Sequence, residues 1–342
     1  MLTGFLEKLF LIITCRFGLR RTKRRESMLL IGVWANRNWI LGNWLKEILI
    51  RNPRQSKIWW VVSVFASKHF WEKLLHFPLP KYGSYFFSYP SIFESYLKSN
   101  PGKFKSKSIV NYTHNESELG TIAHQASILN QAFSVHFNCS RDAENLVDQG
   151  LDPKKVRLVY GAIDEDCSPK GPIEKEPKTV LLASRYGARK GLDILPSLVQ
   201  ALPDWHFFIL GRGWESFLTS SGLIRQENVE YTHFNKSTRN MFMKRAKIFL
   251  SLSSLEGGPI PLIESMSWNC IPIATDTGFA RDFIVDSRNG FILPVNPTTN
   301  EAVTAIEKSE LISVESKISV AHLTWERISG IVWDDHRNII LH

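Results

Sequence analysis

Two glutamates, Glu256 and Glu264, bracket the stretch E-G-G-P-I-P-L-I-E. An apolar run, IFLSLSS, precedes it and reads as a buried strand. A helical pattern, PLIESMSW, follows, with proline in the first turn, where a missing N–H is tolerated. Gly257 and Gly258 let the backbone approach a ligand closely. The backbone of Gly257, Gly258, Pro259 and Ile260 at the helix start forms an anion site. Glu264, about one turn into the helix, can reach back to the same ligand. A carboxylate accepts hydrogen bonds from two neighbouring hydroxyls, so the pair suits a molecule with hydroxyls at both ends and phosphate between. The same residues also fit a capped helix with two exposed glutamates. A second cluster, S-R-Y-G-A-R-K-G (184–191), places Arg185, Arg189 and Lys190 after another apolar run. Cations there can neutralise a diphosphate through charge-assisted bonds. Standing alone, the segment reads as a solvated basic loop.

Positioning such groups takes rigid strand ends. From Met28 the chain alternates short apolar runs with helical spacing: candidate strands are 28–34, 58–64, 84–88, 108–113, 133–138 and 156–160. Residues 39–50 (WILGNWLKEILI) are one of the helical stretches between them. Apolar runs without polar alternation, separated by helices, indicate a parallel sheet covered on both faces. The turn-rich stretch 161–178 carries three prolines and little periodicity, which marks a linker. A second alternation brings strands at 179–183, 205–210, 248–252 and 271–275. The fold class expected is α/β, two doubly wound Rossmann-like domains facing each other across a cleft, with ligands at the carboxyl ends of the strands. The boundaries read as a basic leader at 1–27, a first domain at 28–165, a linker at 166–178, a second domain at 179–310 and a C-terminal segment at 311–342.

At 342 residues the chain has ample core for two domains, and 44% apolar content is ordinary for a globular protein. No segment reaches the roughly 18 consecutive apolar residues of a membrane-spanning helix. Cys15, Cys139, Cys167 and Cys270 lie far apart, which suits a reducing compartment and argues against a zinc site or a disulfide framework. N-x-S/T sequons begin at Asn111, Asn115, Asn138 and Asn235, and without a secretion signal they read as chance. Residues 1–165 hold 23 Lys+Arg against 13 Asp+Glu, a net of +10, leaving 19 against 20, a net of −1, for the rest. The basic half either meets an acidic partner or keeps the chain soluble. The apolar run 5–13 precedes a basic cluster, the wrong order for an export signal. It reads as an amphipathic anchor on an anionic membrane surface or as a disordered leader, the second being favoured because Met28 opens the first clean strand.

Taken together these motifs resemble the retaining GT-B glycosyltransferases of glycosyltransferase family 4. The paired glutamates, the basic R…K-G loop and S-R-N-G-F-I-L-P-V (287–295) match in order and spacing. So do F-N-C-S-R-D-A-E-N-L-V-D-Q-G-L (137–151) and V-Y-G-A-I-D…S-P (159–169). The resemblance covers roughly 108–295 and implies roles. Glu264 would bind the ribose hydroxyls of the donor nucleotide and Glu256 those of the transferred sugar. Arg185 and Lys190 would hold the diphosphate as the glycosidic bond breaks, with backbone from Gly257, Gly258, Pro259 and Ile260 assisting and Gly211 near the base. His114, in N-Y-T-H-N-E-S, would face the sugar from the first domain; Thr113 and Glu116 also form a capping box there, which makes His114 an ordinary first-turn residue. The implied activity is transfer of a hexose-like sugar from a nucleotide-diphosphate donor to a glycan or lipid-linked acceptor in polysaccharide synthesis, in the cytoplasm or peripherally at the inner membrane face. The nucleotide sugar is then a co-substrate, with no cofactor and no metal. Asp164-Glu165-Asp166 looks like a metal-binding D-x-D but is read as a decoy, and Trp325-Glu326-Arg327 as the start of a C-terminal helix crossing back to the first domain.

The chain departs from the family in its first strand-to-helix loop, 34–42, which holds one glycine where many members have a glycine-rich turn. Asn36, Arg37 and Asn38 are the acceptor-side candidates there. Six of the eleven tryptophans lie between Trp34 and Trp71. They suit a sugar-stacking or interfacial surface, or, for Trp59 and Trp60, a strand core. A dehydrogenase fails because 211–216 (GRGWES) lacks the third glycine of a dinucleotide fingerprint. A nucleic-acid-binding protein explains the basic half but not the glutamates, so no nucleic acid is expected. A non-catalytic sugar-nucleotide-binding protein is the main alternative.

Overall fold

The computed structural model describes residues 25–33, 37–38, 40–53, 55–61, 79–114, 119–313 and 315–341. They form two compact units. The first holds the chain up to Phe137, then Ala143–Val159 and Ser329–His342; the second holds Asn138–Asp142 and Tyr160–Ile328. Residues 1–24 of the leader, Asn36 and the tryptophans at 34, 39 and 71 lie outside the described residues.

Unit 1 is a six-stranded parallel sheet of β1 (Met28–Val33), β2 (Ser56–Val61), β3 (Ser84–Phe87), β4 (Ser108–Tyr112), β5 (Ser134–Phe137) and β6 (Val156–Leu158), in the order β2-β1-β3-β4-β5-β6. Its central strands are buried on both faces, as uninterrupted runs such as MLLIGV require. Leu29, Ile31, Phe87 and Val110 pack on one face with Phe93, Tyr96 and Leu129. Met28, Leu30, Phe86 and Ile109 pack on the other with Leu45, Val332, Trp333 and Ile339. Trp59 and Trp60, neighbours on β2, point to opposite faces and join one cluster each. Buried serines stand at or just before five of the strand starts: Ser27, Ser56, Ser84, Ser108 and Ser134. Two of them bond the C-terminal helix Trp325–Leu341, Ser84 Oγ with His336 Nδ1 at 2.7 Å and Ser134 Oγ donating to Asp335 at 2.6 Å.

Unit 2 repeats the plan with β7 (Thr179–Ala183), β8 (His206–Leu210), β9 (Val229–Thr232), β10 (Ile248–Ser251), β11 (Ile271–Thr275) and β12 (Phe291–Leu293), all parallel in the order β12-β11-β10-β7-β8-β9. Leu181, Phe208, Phe249 and Ala274 face Phe242, Leu262, Ile263 and Met266. Val180, Phe207, Ile209 and Leu250 face Leu195, Leu198 and Ile306. The expected α/β class of two doubly wound sheets is therefore what the chain adopts. The two strands absent from the sequence reading, β9 and β12, are the two edges of this sheet. An edge strand is covered incompletely, and VEYT and FIL are too short and too mixed to stand out as apolar runs. On β2, strand pairing starts two residues before the expected 58, and 62–64 lie outside the described residues.

The segment read as a linker, 166–178, is strapped to unit 2. Cys167 is fully buried, Lys175 Nζ donates to the Met243 carbonyl at 2.6 Å, and Glu176 N to the Arg245 carbonyl at 2.8 Å. The Trp325–Leu341 helix begins in unit 2, where Trp325 Nε1 donates to Asp164 at 2.9 Å, and from Ser329 it belongs to unit 1. Of the sequons, Asn111 and Asn138 are buried and Asn235 caps a helix. Among the described residues no helix is long and apolar enough to cross a membrane, and Cys139, Cys167 and Cys270 are free and buried.

Asp335 carries much of the polar bonding between that helix and the unit 1 sheet. Its Oδ2 lies 2.8 Å from His136 Nε2 and its Oδ1 3.5 Å from Arg157 Nε. Burial would raise its pKa, but hydrogen bonds from His136 and Ser134 and the charge of Arg157 outweigh it and hold the carboxyl below its ordinary range. A depressed carboxyl adds stability above its ordinary pKa of ~4 and loses it as pH falls through the folded value. Asp335→Ala is expected to cost on the order of 3–5 kcal/mol at pH 7, read as a lower urea midpoint, with the gap to wild type narrowing in acid.

Candidate donor-binding site

The polar groups of unit 2 that could do chemistry collect beyond the carboxyl ends of β7 and β10, neighbours in the sheet. The chain leaves β7 at Ala183 and turns through the 3-10 helix Ala188–Lys190. Gly191 follows with φ +61°, a left-handed conformation, and a Cβ there would meet the Leu252 carbonyl oxygen at 2.1 Å. This close approach pins the basic loop against the segment leaving β10. Ser254 N donates to the Arg189 carbonyl at 2.8 Å and Ser254 Oγ to the same oxygen at 3.2 Å. Lys190 Nζ is thereby held on the Glu256 carboxylate, both side chains largely withdrawn from water. Arg185 and Arg189 are exposed on the same loop.

Beyond Glu256, Gly258 lies against Phe279 and Asn138, and the helix Ile260–Ser267 begins after Pro259 with no side-chain cap. Pro259 has no N–H, so only Gly257, Gly258 and Ile260 of the expected four can donate to an anion. Gly211, at the end of β8, sits where a Cβ would be 1.8 Å from the Ser184 carbonyl oxygen. Its small size has a structural reason in the seam between β7 and β8, which Trp214 Nε1 also closes by donating to Ser184 O at 2.8 Å.

Glu264 is buried, 6% exposed, and its Oε1 accepts from Arg239 Nη1 at 2.8 Å. Arg239, 3% exposed, also donates through Nη2 to Asp166 Oδ1 at 2.8 Å, and Lys236 bonds the other Asp166 oxygen. Burial pushes the Glu264 carboxyl up to about 7, against the pull of Arg239 and with Asp164 adding to the rise. Burial acts the same way on Asp166, but Lys236 and Arg239 outweigh it and hold that carboxyl below its ordinary range. Arg239 and Asp166 are the site residues that sequence reasoning missed. A signal existed: Arg239, Phe242 and Met243 share the i, i+3, i+4 face buried by the helix Lys236–Arg245. The Asp164-Glu165-Asp166 triplet, set aside as a decoy, supplies one carboxylate to Arg239 and another to Trp325. Among the described residues no cluster of three or more His, Cys, Asp or Glu could hold a metal ion.

The remaining candidates lie in unit 1. His114 is half-buried at the carboxyl end of β4. Glu116 of its alternative capping box lies outside the described residues, and the helix that follows is capped by Thr121, whose side chain accepts from His124 N at 3.2 Å. Arg37 and Asn38 form a turn ahead of the helix Ile40–Arg51, with Asn38 Oδ1 accepting from Lys46 Nζ at 3.4 Å.

Residues 164–316 match the model of the family Glycosyl transferases group 1. The matched stretch lies in unit 2. It spans all the unit 2 candidates, Arg185, Lys190, Gly211, Glu256 to Ile260 and Glu264, together with Arg239 and Asp166. The lipopolysaccharide 1,6-galactosyltransferase of Escherichia coli K12 is 22% identical over 161 residues, 44% of this chain and 45% of that protein. The GDP-mannose:cellobiosyl-diphosphopolyprenol alpha-mannosyltransferase of Xanthomonas oryzae is 23% identical over 221 residues, 59% of this chain and 57% of that protein. The chain thus spans about half the length of the curated relatives it matches. Among solved structures, HepE of Anabaena in complex with UDP and glucose superposes with a TM-score of 0.68 at 13% identity, over 90% of this chain and 98% of that one. Sucrose-phosphate synthase of Thermosynechococcus elongatus gives 0.73 at 12% identity, over 92% and 99%. These likenesses show the fold, and the fold is GT-B.

Two measurements test this geometry. Gly191→Ala is expected to lower the melting temperature and weaken nucleotide binding together, because the loop must retreat from Leu252 and carries Lys190 with it. Gly187→Ala, in the same loop with open space around it, is expected to melt like wild type, and equal behaviour of the two would contradict the packing described. Glu264 gives a pH signature. Its folded pKa of about 7 lies above the ordinary 4.5, so the native chain holds a proton that the unfolded chain releases. That contribution to stability is complete below the ordinary value and is lost as pH rises through about 7. Glu264→Gln, an isostere of the protonated acid, should therefore melt close to wild type at pH 5 and become the more stable of the two by pH 8; a constant gap would contradict the raised pKa.

Proposed function

We propose that the chain is a retaining glycosyltransferase that moves a sugar from a nucleotide-diphosphate donor to a glycan or lipid-linked acceptor. The observation that carries this reading is the pairing of Lys190 with Glu256 at adjoining strand ends, with the buried Glu264 one helical turn beyond. Lys190 and Glu256 neutralise each other in the structure. A donor would exchange that pair for two matched contacts, phosphate on Lys190 and sugar hydroxyls on Glu256. The Glu264 carboxylate would take the ribose hydroxyls, leaving the base toward Gly211. Negative charge grows on the diphosphate as the glycosidic bond breaks. Lys190, Arg185 and the N–H groups of Gly257, Gly258 and Ile260 stabilise it without reorganising. The leaving phosphate can take the acceptor's proton, so no protein nucleophile is required and positioning supplies the rate.

With cations and backbone N–H groups facing the phosphates, no metal is needed in this scheme. Arg37 and Asn38, with Asn36, are assigned to the acceptor side in unit 1, and His114 to the transferred sugar. The acceptor class rests on two relatives, one named for lipopolysaccharide and one for a diphosphopolyprenol-linked sugar, and on the net charge of +10 in residues 1–165 (23 − 13), which favours acidic substrates.

Calorimetric titration with UDP, GDP and ADP in EDTA tests the donor site directly. One nucleotide is expected to bind wild type, and Glu264→Ala to weaken it roughly tenfold to a hundredfold, the range for a hydrogen bond to a charged group. Binding only after added Mg²⁺ would refute the metal-free scheme. Failure of all three to bind folded wild-type protein would refute the donor site.

A further inference from the structure

We infer that Arg239 is a positioning residue for nucleotide binding, clamping Glu264 from behind so that one carboxylate oxygen stays turned to the ligand. The inference rests on the donor-site reading above. Arg239 is buried on the inner face of the helix Lys236–Arg245, beside Phe242 and Met243, a place where an unpaired guanidinium is costly. It is kept there by two carboxylates from different segments, Glu264 on the helix Ile260–Ser267 and Asp166 on the 3-10 turn Glu165–Cys167, each at 2.8 Å. Its Nε donates to Asn240 Oδ1 at 3.1 Å. The rigid guanidinium fork therefore spans the two carboxylates with one bond to each and ties Glu264 to Asp166, which a lysine, with a single head group, would do with less geometric constraint.

The groups facing Glu264 act in opposite directions. Asp164 and Asp166 disfavour its charge, Arg239 favours it, and the Cys167 thiol hydrogen-bonds it. Lys236 faces Asp166 from the start of the same helix as Arg239. An ionised carboxylate accepts from two ribose hydroxyls more strongly than a protonated one, which keeps only part of its acceptor capacity, so the clamp has a second consequence. With Arg239 present, Glu264 is available to the ligand near neutral pH. Without it, burial and the two aspartates are countered only by the Cys167 thiol among these groups, and ionisation moves to higher pH.

The test is nucleotide affinity as a function of pH, from 5.5 to 9, for wild type, Arg239→Met and Arg239→Lys, using whichever of UDP, GDP or ADP binds wild type. Wild-type affinity is expected to fall as pH drops through about 7. Arg239→Met is expected to bind about tenfold more weakly at pH 7, with its midpoint displaced upward by a unit or more. Arg239→Lys, which keeps a charge and tolerates the buried site better, is expected to restore most of the midpoint and only part of the affinity. Should Arg239→Met fail to fold, a lysine variant equal to wild type in affinity overturns the inference. A weaker affinity with an unmoved midpoint in Arg239→Met also overturns it, because that is the signature of lost packing alone. Absence of nucleotide binding to wild type at every pH is a different result: it removes the donor-site reading on which the clamp depends.

Discussion

A carboxylate taken out of water must be paired, and much of unit 2 is arranged around that requirement at Glu264. Moving an isolated charge into the interior is costly enough that the group ordinarily takes up a proton instead. Here the counter-charge comes from a neighbouring helix, and that arginine is in turn satisfied by Asp166. The chain of charges runs from the buried Glu264 through Arg239 to Asp166 and the exposed Lys236, so the ionic network ends in solvent rather than in the core. This explains why the stretch after β6 cannot act as a loose tether. Asp166 anchors it to the helix Lys236–Arg245, and Cys167 and Lys175 press it onto the same unit.

The second ionic pair obeys a different balance. Lys190 and Glu256 are largely withdrawn from water, and among the described residues each forms an ion pair only with the other. A pair of this kind, at the edge of a strand-end site, is weak evidence for stability and can be exchanged for ligand contacts at small net cost. The seam that holds it is made of backbone: the approach of Gly191 to Leu252, and the Ser254 bonds to Arg189. One acid is thus locked by side-chain charge and the other presented by backbone geometry. That division fits a site in which the first fixes the nucleotide and the second meets the group that changes during reaction.

Much of this was legible in the sequence because it rests on short-range pattern. Uninterrupted apolar runs named ten of the twelve strands, and the two missed, Val229–Thr232 and Phe291–Leu293, are edges whose half-covered residues leave no such run. Glu256, Glu264 and Lys190 stood out by type and spacing. Their partners did not, because pairing depends on sheet order. Lys190 meets Glu256 across 66 positions only because β10 lies beside β7. Arg239 was readable in principle, as a charge on an apolar helical face, but only in a short helix whose other polar residues mask the pattern. Asp166 was discounted because its triplet, though shaped like a metal-binding motif, falls where the chain reads as a linker. Pairing with a buried arginine is the use it has.

The same logic bears on how the site could tolerate change. Glu264 and Arg239 constrain each other, since loss of Arg239 removes the counter-charge of Glu264 and loss of Glu264 leaves Arg239 with Asp166 alone. Asp166 is half exposed, and Lys236 more so, so water can stand in for either. Substitution should therefore be cheapest at the solvent end of the network and most costly at its buried end. Simultaneous replacement of Arg239 and Glu264 by apolar residues of similar volume could restore stability while abolishing the acceptor for ribose hydroxyls. Stability and nucleotide affinity then part company at these two positions, which is how a binding requirement, rather than a folding one, would reveal itself as the reason the charges are buried at all.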